Sequence, residues 1–463
     1  MKLPEKFTEE MNAFFEAYDV PEEGFWASFD EPSEKGIRIS RSKVADIEGR
    51  RQILADTACG EDPVNWCDGG YYSDSDKPGK SPYYHAGAVY PQEPSAMLPA
   101  VILDARPGDI VLDMCAAPGG KATRIGEDLK GQGVLFANEI NFKRSKALLR
   151  NIERAGIPNA VILNETPENI ASVLPGFFDK IIIDAPCSGE GMMRRDDQAV
   201  RSYLKFGPET VIPIQKDILE AAAVLLKNKG DIVYSTCTFC IDEDEKQIMS
   251  FLERHPDFRV VEHELPEGVS ASPVLKGAMR IWPHLARGDG HFCVHLRRDA
   301  DEETLTKEFV PAVPRKKVDL LTEFLSDILK DDRIDYFCGS AVKKGQSLVI
   351  PAVDDRILYG LKVVKNGIFL GETESKGNRK IFSPSNSFPL LLDRNMIRDD
   401  SFISFDSDDI MLSKYLKGET VESVPGIKAQ GYVVIGVAGY PLGLGKISGG
   451  MIKNLYPAAW RME

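Results

Sequence analysis

The sequence predicts an α/β protein organised on a parallel sheet that helices cover on both sides. Two observations carry this. Between residues 101 and 298, short runs that are almost wholly apolar recur along the chain, and amphipathic stretches with helical spacing separate them. Strands that are apolar on both faces need cover on both faces, which a half-exposed antiparallel sheet does not provide.

Each element follows from local signals. DIVLDM (109–114) is a strand that runs into a loop of small residues and a helix, KATRIGEDL. GVLFANE (133–139) is the second strand, followed by the helix NFKRSKALLRNIERAG. NAVILNE (159–165) and FDKIIIDA (178–185) are the third and fourth. The helix IPIQKDILEAAAVLLKNKG (212–230) is expected to end on Gly230 as its C-cap and to lead into the strand DIVYST (231–236). Ahead of this core, 1–92 reads as a small α+β region that opens with the helix EKFTEEMNAFFEAY. The core domain is placed at 93–300. The charged, proline-bearing stretch 299–315 reads as a linker, 311–395 as a mixed α/β domain, and the glycine-rich, β-forming 400–463 as a small β-barrel.

Bulk properties narrow the function classes. With 43% hydrophobic and 28% charged residues over 463 positions, the composition is that of an ordinary globular protein. No apolar run reaches about 18 residues, so no membrane partner is expected. The acidic N-terminus lacks the features of a signal peptide, and the eight cysteines are too scattered for a disulfide framework, so a reducing cytoplasm is expected. The net charge of −14 opposes loose adhesion to polyanions. Its distribution is uneven: residues 1–110 sum to −10, whereas 311–463 sum to +2. A polyanion would therefore have to bind local patches.

The segment VLDMCAAPGGKATRIG (111–126) has the strand, small-residue loop and helix of a cofactor site. It is not a P-loop, because Ala122 follows Lys121, and it is not G-x-G-x-x-G. Glu139 closes the second strand, where an open α/β sheet sets an acid against ribose hydroxyls. An acid on the first strand (Asp113), a Gly-Gly loop and an acid on the second suit S-adenosylmethionine, which has a ribose but no phosphate. The alternative is a generic tight turn around Gly119 and Gly120.

Two further stretches, DAPCSGE (184–190) and STCTFC (235–240), each set a cysteine just beyond a predicted strand. Neighbouring parallel strands bring their carboxyl ends to one edge, so Cys187 and Cys237 are expected to face the same pocket as the cofactor loop. Cysteines at strand ends are often only small buried hydrophobes. Cys237-x-x-Cys240 has the spacing of a redox pair or of half a zinc site, but a redox pair wants to open a helix in a thioredoxin-like unit, and Cys59 and Cys67 have the wrong spacing for the other half of a zinc site, so no metal is expected.

Taken in order, HAGAVYPQEPSAMLPAVILDARPGDIVLDMCAAPGGKATRIG, the NE at 138–139, DAPCSGEGMMRRD, STCT, the upstream GIRISRSK (36–43) and RIWPHLARGDGHFCVHL (280–296) resemble the Sun-type family of RNA cytosine-5 methyltransferases. The resemblance covers roughly residues 1–298, and the tail YPLGLGKISGGMIKNLYPAAWR is similar to the PUA-like end of the family's bacterial small-subunit members. It implies a Rossmann-like S-adenosylmethionine-dependent methyltransferase sheet, a small α+β N-terminal region that binds RNA and a C-terminal PUA-like β-barrel. It further implies an enzyme that forms 5-methylcytosine in RNA, with small-subunit (16S) ribosomal RNA or the assembling subunit as partner and a monomer as the default state. Cys237 is then the nucleophile, Cys187 assists release, and Asp184 lies against the base or the cofactor. The cofactor contacts are Cys115, Ala116, Ala117, Pro118, Gly119, Gly120, Lys121, Glu139, Glu165 and Asp184. Transfer RNA as substrate, or an inert RNA-binding assembly factor on the same scaffold, are the competing readings. In the run MMRRDDQAVRSYLK, Arg194, Arg195, Arg201 and Lys205 would either meet RNA phosphates or form a solvated helix face. Two departures from the family pattern stand out: Asn164-Glu165-Thr166 where relatives set an aspartate against adenine, and Leu285-Ala286 where relatives often carry a lysine.

Overall fold

The computed structural model describes residues 3–75, 78–195, 197–300, 319–377 and 379–462. Most of the predicted linker, 301–315, lies outside the described residues. The predicted parallel sheet is present, and we label its strands β1 (Ile110–Asp113), β2 (Val134–Asn138), β3 (Ala160–Leu163), β4 (Phe178–Asp184), β5 (Leu226–Thr236), β6 (Phe258–Val260), β7 (Ser270–Ala271), β8 (Met279–Ile281), β9 (His291–Arg298) and β10 (Val363–Asn366). Their order is β7-β8-β9-β5-β4-β1-β2-β3-β10, with β6 on β9. Strands β3-β2-β1-β4-β5 are mutually parallel, whereas β9 is antiparallel to β5 and β10 is antiparallel to β3.

Alternation along each central strand serves two cores. Ile110, Leu112, Phe136, Ile181 and Ile183 pack into one hydrophobic layer, and Val111, Leu135, Ala137, Ile182 and Val233 into the other. The strands therefore read as continuous apolar runs. Local chemistry ends the helices between them. Asn141 caps the helix Phe142–Ala155 by accepting the N–H groups of Lys143 and Arg144, and Gly156 closes it at φ +70°.

Gly230 does not cap a helix. The helix Pro208–Leu225 stops five residues earlier, and Gly230 lies within β5. A Cβ there would sit 2.8 Å from the carbonyl oxygen of Asp179, so the glycine permits close approach of β5 to β4. The register slips between Phe178–Leu226 and Lys180–Asp231, and Lys229 takes φ +61° to absorb the extra residues.

The flanking regions are not separate beads. The N-terminal sheet (Gly70–Tyr72, Gly36–Ile39, Val89–Pro91) packs Ile37, Ile39 and Val89 into one core with Ile403, Val433 and Leu442 of the C-terminal region. The C-terminal sheet runs Phe402–Phe405, Gly431–Val437, Tyr440–Ser448, Met451–Asn454 and Val421–Glu422, and is the curled sheet of the PUA-like end. His85 Nδ1 and the Tyr456 hydroxyl lie 2.7 Å apart across this junction. The Arg154 guanidinium lies 4.1 Å from the Tyr84 ring centroid and 5.3 Å from that of Trp460, so both ends of the chain meet on the helix Phe142–Ala155. The middle C-terminal segment, with a four-stranded sheet of its own, contributes β10 to the edge of the large sheet.

Gly156 sits at this crossroads: a Cβ would lie 2.2 Å from the Leu390 carbonyl oxygen, on a left-handed backbone. Gly156→Ala should destabilise the protein by about 2 kcal/mol or more, read as a lower urea midpoint.

Candidate active site

β4 and β5 end side by side, with Asp184 opposite Ser235 in the ladder. The chain leaves both strands on the same edge, and the two loops carry their cysteines into contact: Cys187 Sγ and Cys237 Sγ are 3.3 Å apart. Both thiols are half-buried. Hydrogen bonding to Cys237, together with burial, holds the Cys187 thiol well above the ordinary thiol range.

One strand over, β1 delivers the cofactor-type loop to the same edge. Gly119 takes φ +118°, a conformation that suits glycine, and precedes the helix Gly120–Asp128. Outer groups bind the loop carbonyls: Arg144 donates to Ala117 O at 2.7 Å, Asn151 to Pro118 O at 2.8 Å and Arg38 to Gly120 O at 2.7 Å. Arg38 also donates to Thr123 Oγ1 at 2.6 Å. The first arginine of the GIRISRSK stretch thus reaches from the N-terminal sheet to fix the first turn of the helix Gly120–Asp128. Ala116 N donates to Asn138 O at 2.8 Å, which ties the loop to β2. The Cys115 thiol is pushed up by burial and the neighbouring carboxylates.

Lys121 turns inward. Its side chain is 7% exposed, and Nζ lies 2.8 Å from Asp184 Oδ1, while Asp184 itself is 38% exposed. Ser235 Oγ donates to the same oxygen at 3.3 Å. Burial alone would raise the Asp184 carboxyl, but the Lys121 ammonium, with hydrogen bonds from Lys121 and Ser235, outweighs it and holds it below its usual range. His291, the first residue of β9, completes this cluster with Nε2 4.0 Å from Asp184 Oδ1. It was not singled out from the sequence, and only its place in GDGHF pointed to this edge. Burial and then Lys121 push its imidazole down to about 3, so it is neutral at physiological pH. Asp113 ends β1 beneath the loop, and its buried carboxyl oxygens have no side-chain hydrogen-bond partner among the described residues. Burial, then the charge on Asp184, pushes it up to about 8.

At the end of β2, Glu139 is buried. Its Oε1 accepts from Asn141 N at 2.8 Å, and Arg144 lies 3.4 Å from Oε2. The three residues at the family's adenine position are engaged differently. The Asn164 side chain donates to Glu139 O and Ile140 O, Thr166 caps the helix Pro167–Val173, and Glu165 Oε1 accepts from Lys362 N at 2.7 Å. Only the second Glu165 oxygen is left for a ligand.

Of the arginines past the cysteine loop, Arg194 departs from the expected surface role, and Arg195 is exposed but held by an ion pair. Arg194 is buried and donates to Gly288 O at 2.8 Å and Pro32 O at 3.2 Å, and Arg195 pairs with Asp289. They tie the loop to the N-terminal region and to the β8–β9 connection. Arg201 and Lys205 are exposed.

With this geometry in view, the relatives are informative. Residues 100–297 match the model of the 16S rRNA methyltransferase RsmB/F, residues 3–94 that of the N-terminal domain of 16S rRNA methyltransferase RsmF, and residues 402–462 that of the methyltransferase RsmF PUA domain. A Shewanella amazonensis protein named ribosomal RNA small subunit methyltransferase F is 29% identical over 443 residues, covering 92% of this chain and 91% of the relative. Its namesake from Aliivibrio fischeri is 28% identical and covers 98% and 97%. Among solved structures, a methyltransferase homolog protein from Pyrococcus horikoshii is 27% identical with a TM-score of 0.51, covering 59% of this chain and 89% of its own. Family models over the N-terminal, central and C-terminal parts, in the expected order, leave one assignment: the chain belongs to the RsmB/F family of 16S rRNA methyltransferases and carries the N-terminal and PUA domains of its RsmF branch.

Proposed function

We propose that this protein is an S-adenosylmethionine-dependent RNA (cytosine-5-)-methyltransferase acting on small-subunit ribosomal RNA through a transient bond between Cys237 and the target base. The observation that carries the reading is the pair of sulfurs 3.3 Å apart beside the Lys121–Asp184 ion pair, on the edge that also holds the small-residue loop. A lone buried thiol is more often core than chemistry, but two touching thiols on two loops are an expensive way to fill space.

The residues suit the cofactor. Small side chains at 116–120 open the loop to a ligand, and Glu139 offers a carboxylate where ribose hydroxyls lie in such sheets. The buried oxygens of Asp113, which have no side-chain hydrogen-bond partner among the described residues, leave polar capacity for a ligand at this edge. Residues 115–121, Glu139, Asp184 and the free Glu165 oxygen would hold the molecule. When bound, it supplies an electrophilic methyl group on a sulfonium.

Cytosine carbon 5 is a poor nucleophile while the ring is aromatic. Addition of the Cys237 sulfur to carbon 6 breaks the aromaticity and makes carbon 5 enamine-like, which is covalent catalysis. After methylation, water takes the carbon-5 proton, the C–H electron pair moves into the ring and the sulfur is expelled. The elevated Cys187 thiol, protonated until this point, gives its proton to the departing Cys237 sulfur as the bond to carbon 6 breaks and takes another from water. The Asp184 carboxylate, ionised beside Lys121, accepts from the cytosine amino group. The target must be swung out of any helix to reach this edge, at a cost of a few kcal/mol that falls for an unpaired base. The N-terminal and C-terminal regions extend the RNA contact.

Three outcomes test this. Incubation with tritiated cofactor and separated RNAs should label small-subunit ribosomal RNA; label confined to transfer RNA would move the substrate, and label in neither would refute the activity. Cys237→Ala should reduce transfer to background with cofactor affinity retained, whereas Cys187→Ala should accumulate an RNase-sensitive protein–RNA adduct on denaturing gels. The third concerns Asp113, whose folded-state pKa of about 8 exceeds its ordinary 3.8. Folded protein retains this proton over that window while unfolded chain loses it, so stability should fall as pH rises from about 4 to about 8. Asp113→Asn should shrink the difference between urea midpoints taken at pH ~5 and pH ~8.5.

A further inference from the structure

Two buried carboxylates that no catalytic step above uses stand on the cysteine loops themselves. Glu190 follows Cys187 by three residues and is 1% exposed; Glu243 follows Cys237 by six and is 0% exposed. Each crosses to the opposite loop. Glu243 Oε2 accepts from Ser188 N at 2.9 Å, and Glu190 Oε2 accepts from Phe239 N at 2.9 Å. Residues 185–189 and 237–240 lie outside any strand, so neither N–H has a ladder partner. Without the carboxylates both donors would be orphaned in the interior.

Local acceptors on each loop would satisfy the same donors without linking the loops. Here the exchange is reciprocal, and other contacts follow the same line. Gly191 N donates to Cys237 O at 3.0 Å, and Ser188 Oγ lies 2.8 Å from Thr238 Oγ1. A side chain at 191 would meet Asp289 O at 2.5 Å. From behind, Gln215 of the helix Pro208–Leu225 donates to Glu243 Oε2 at 2.9 Å and to Pro186 O at 3.0 Å. Two carboxylates buried within one cluster cost more than apolar packing would, and the cost falls on the two loops that hold the sulfurs. Burial, then the charge on Glu243, pushes Glu190 up to about 8, so it serves at neutral pH as an uncharged acceptor.

We infer that Glu190 and Glu243 are positioning residues, a crossed clamp that sets the spacing of the Cys187 and Cys237 sulfurs. The inference rests on the thiol chemistry proposed above for its catalytic consequence, but the spacing can be read without turnover. In the resting enzyme, diamide takes two electrons and two protons from neighbouring thiols, leaving a Cys187–Cys237 disulfide and a hydrazine, and the rate depends on how closely the sulfurs approach. Glu190→Leu and Glu243→Leu should slow this disulfide about tenfold or more, followed by peptide mass spectrometry. They should lower kcat about a hundredfold with KM for RNA nearly unchanged. Glu190→Gln and Glu243→Gln retain an acceptor and should stay within about threefold of wild type in both measurements. If a leucine variant fails to bind cofactor and so has not folded, Glu243→Asp, which keeps the charge but draws it back from Ser188, should show the same two losses in milder form. Glutamine variants as inactive as leucine would overturn the clamp in favour of a proton-transfer role. Leucine variants that cross-link at the wild-type rate would overturn it outright. If wild-type protein methylates no RNA yet the disulfide rates follow the clamp, the functional proposal fails and the positioning inference stands.

Discussion

Parallel pairing of β4 with β5 is the constraint on which the rest depends. A parallel ladder carries both chains the same way, so both leave the sheet at one edge and their loops compete for one space. Asp184 opposite Ser235 marks the last rung. Beyond it the loops run on without a ladder, and side-chain and backbone contacts between them replace it. Had β5 been antiparallel, Cys237 would lie at the far end of the sheet from Cys187 by the length of the strand. The insertion of antiparallel β9 next to β5 places His291 at this edge too, because an antiparallel strand begins where its neighbour ends.

The electrostatics of this edge follow from its depth. Lys121, Asp113 and His291 are buried around the partly exposed Asp184, and their charge states separate: one carboxyl is held ionised by its lysine, the other is driven towards its neutral form, and the imidazole stays uncharged. Groups whose surroundings push their titrations apart at one cleft are a signature of chemistry rather than of packing. The helix Gly120–Asp128 has an anchor from outside the sheet. Arg38 supplies it with three hydrogen bonds, to Gln92, Gly120 and Thr123.

Much of this could be read from the sequence, and the division is physical. Apolar runs made β1 to β5 visible, and Asn141 and Gly156 bound their helix as capping rules require. The loop at 115–121 and both cysteines stood in recognisable contexts. What escaped depended on partners far away in the chain. Gly230 looked like a helix end because glycine is favoured there, but the space it must leave for Asp179 O is a tertiary demand. Arg194 looked like a surface cation, since nothing local shows that Gly288 O waits for it, and the ion pair of the exposed Arg195 with Asp289 is equally non-local. Glu165 could not be read as a tie to Lys362, almost two hundred residues on, and β10 was hidden for the same reason. His291, Glu190 and Glu243 are single letters whose meaning comes from the opposite loop.

The hydrocarbon shared by the first ninety residues and the C-terminal sheet has a consequence for how this protein can be dissected. Ile37 and Val89 lean on Ile403 and Val433 as neighbours within one interior, and Arg154 is held between rings contributed by both extremities. Cutting away the tail therefore strips one wall from the N-terminal sheet instead of detaching an appendage, and leaves oily surface where a dry seam had been. The two extremities of the polypeptide thus close on each other over the helix Phe142–Ala155, and a shortened protein is expected to lose N-terminal stability along with its tail.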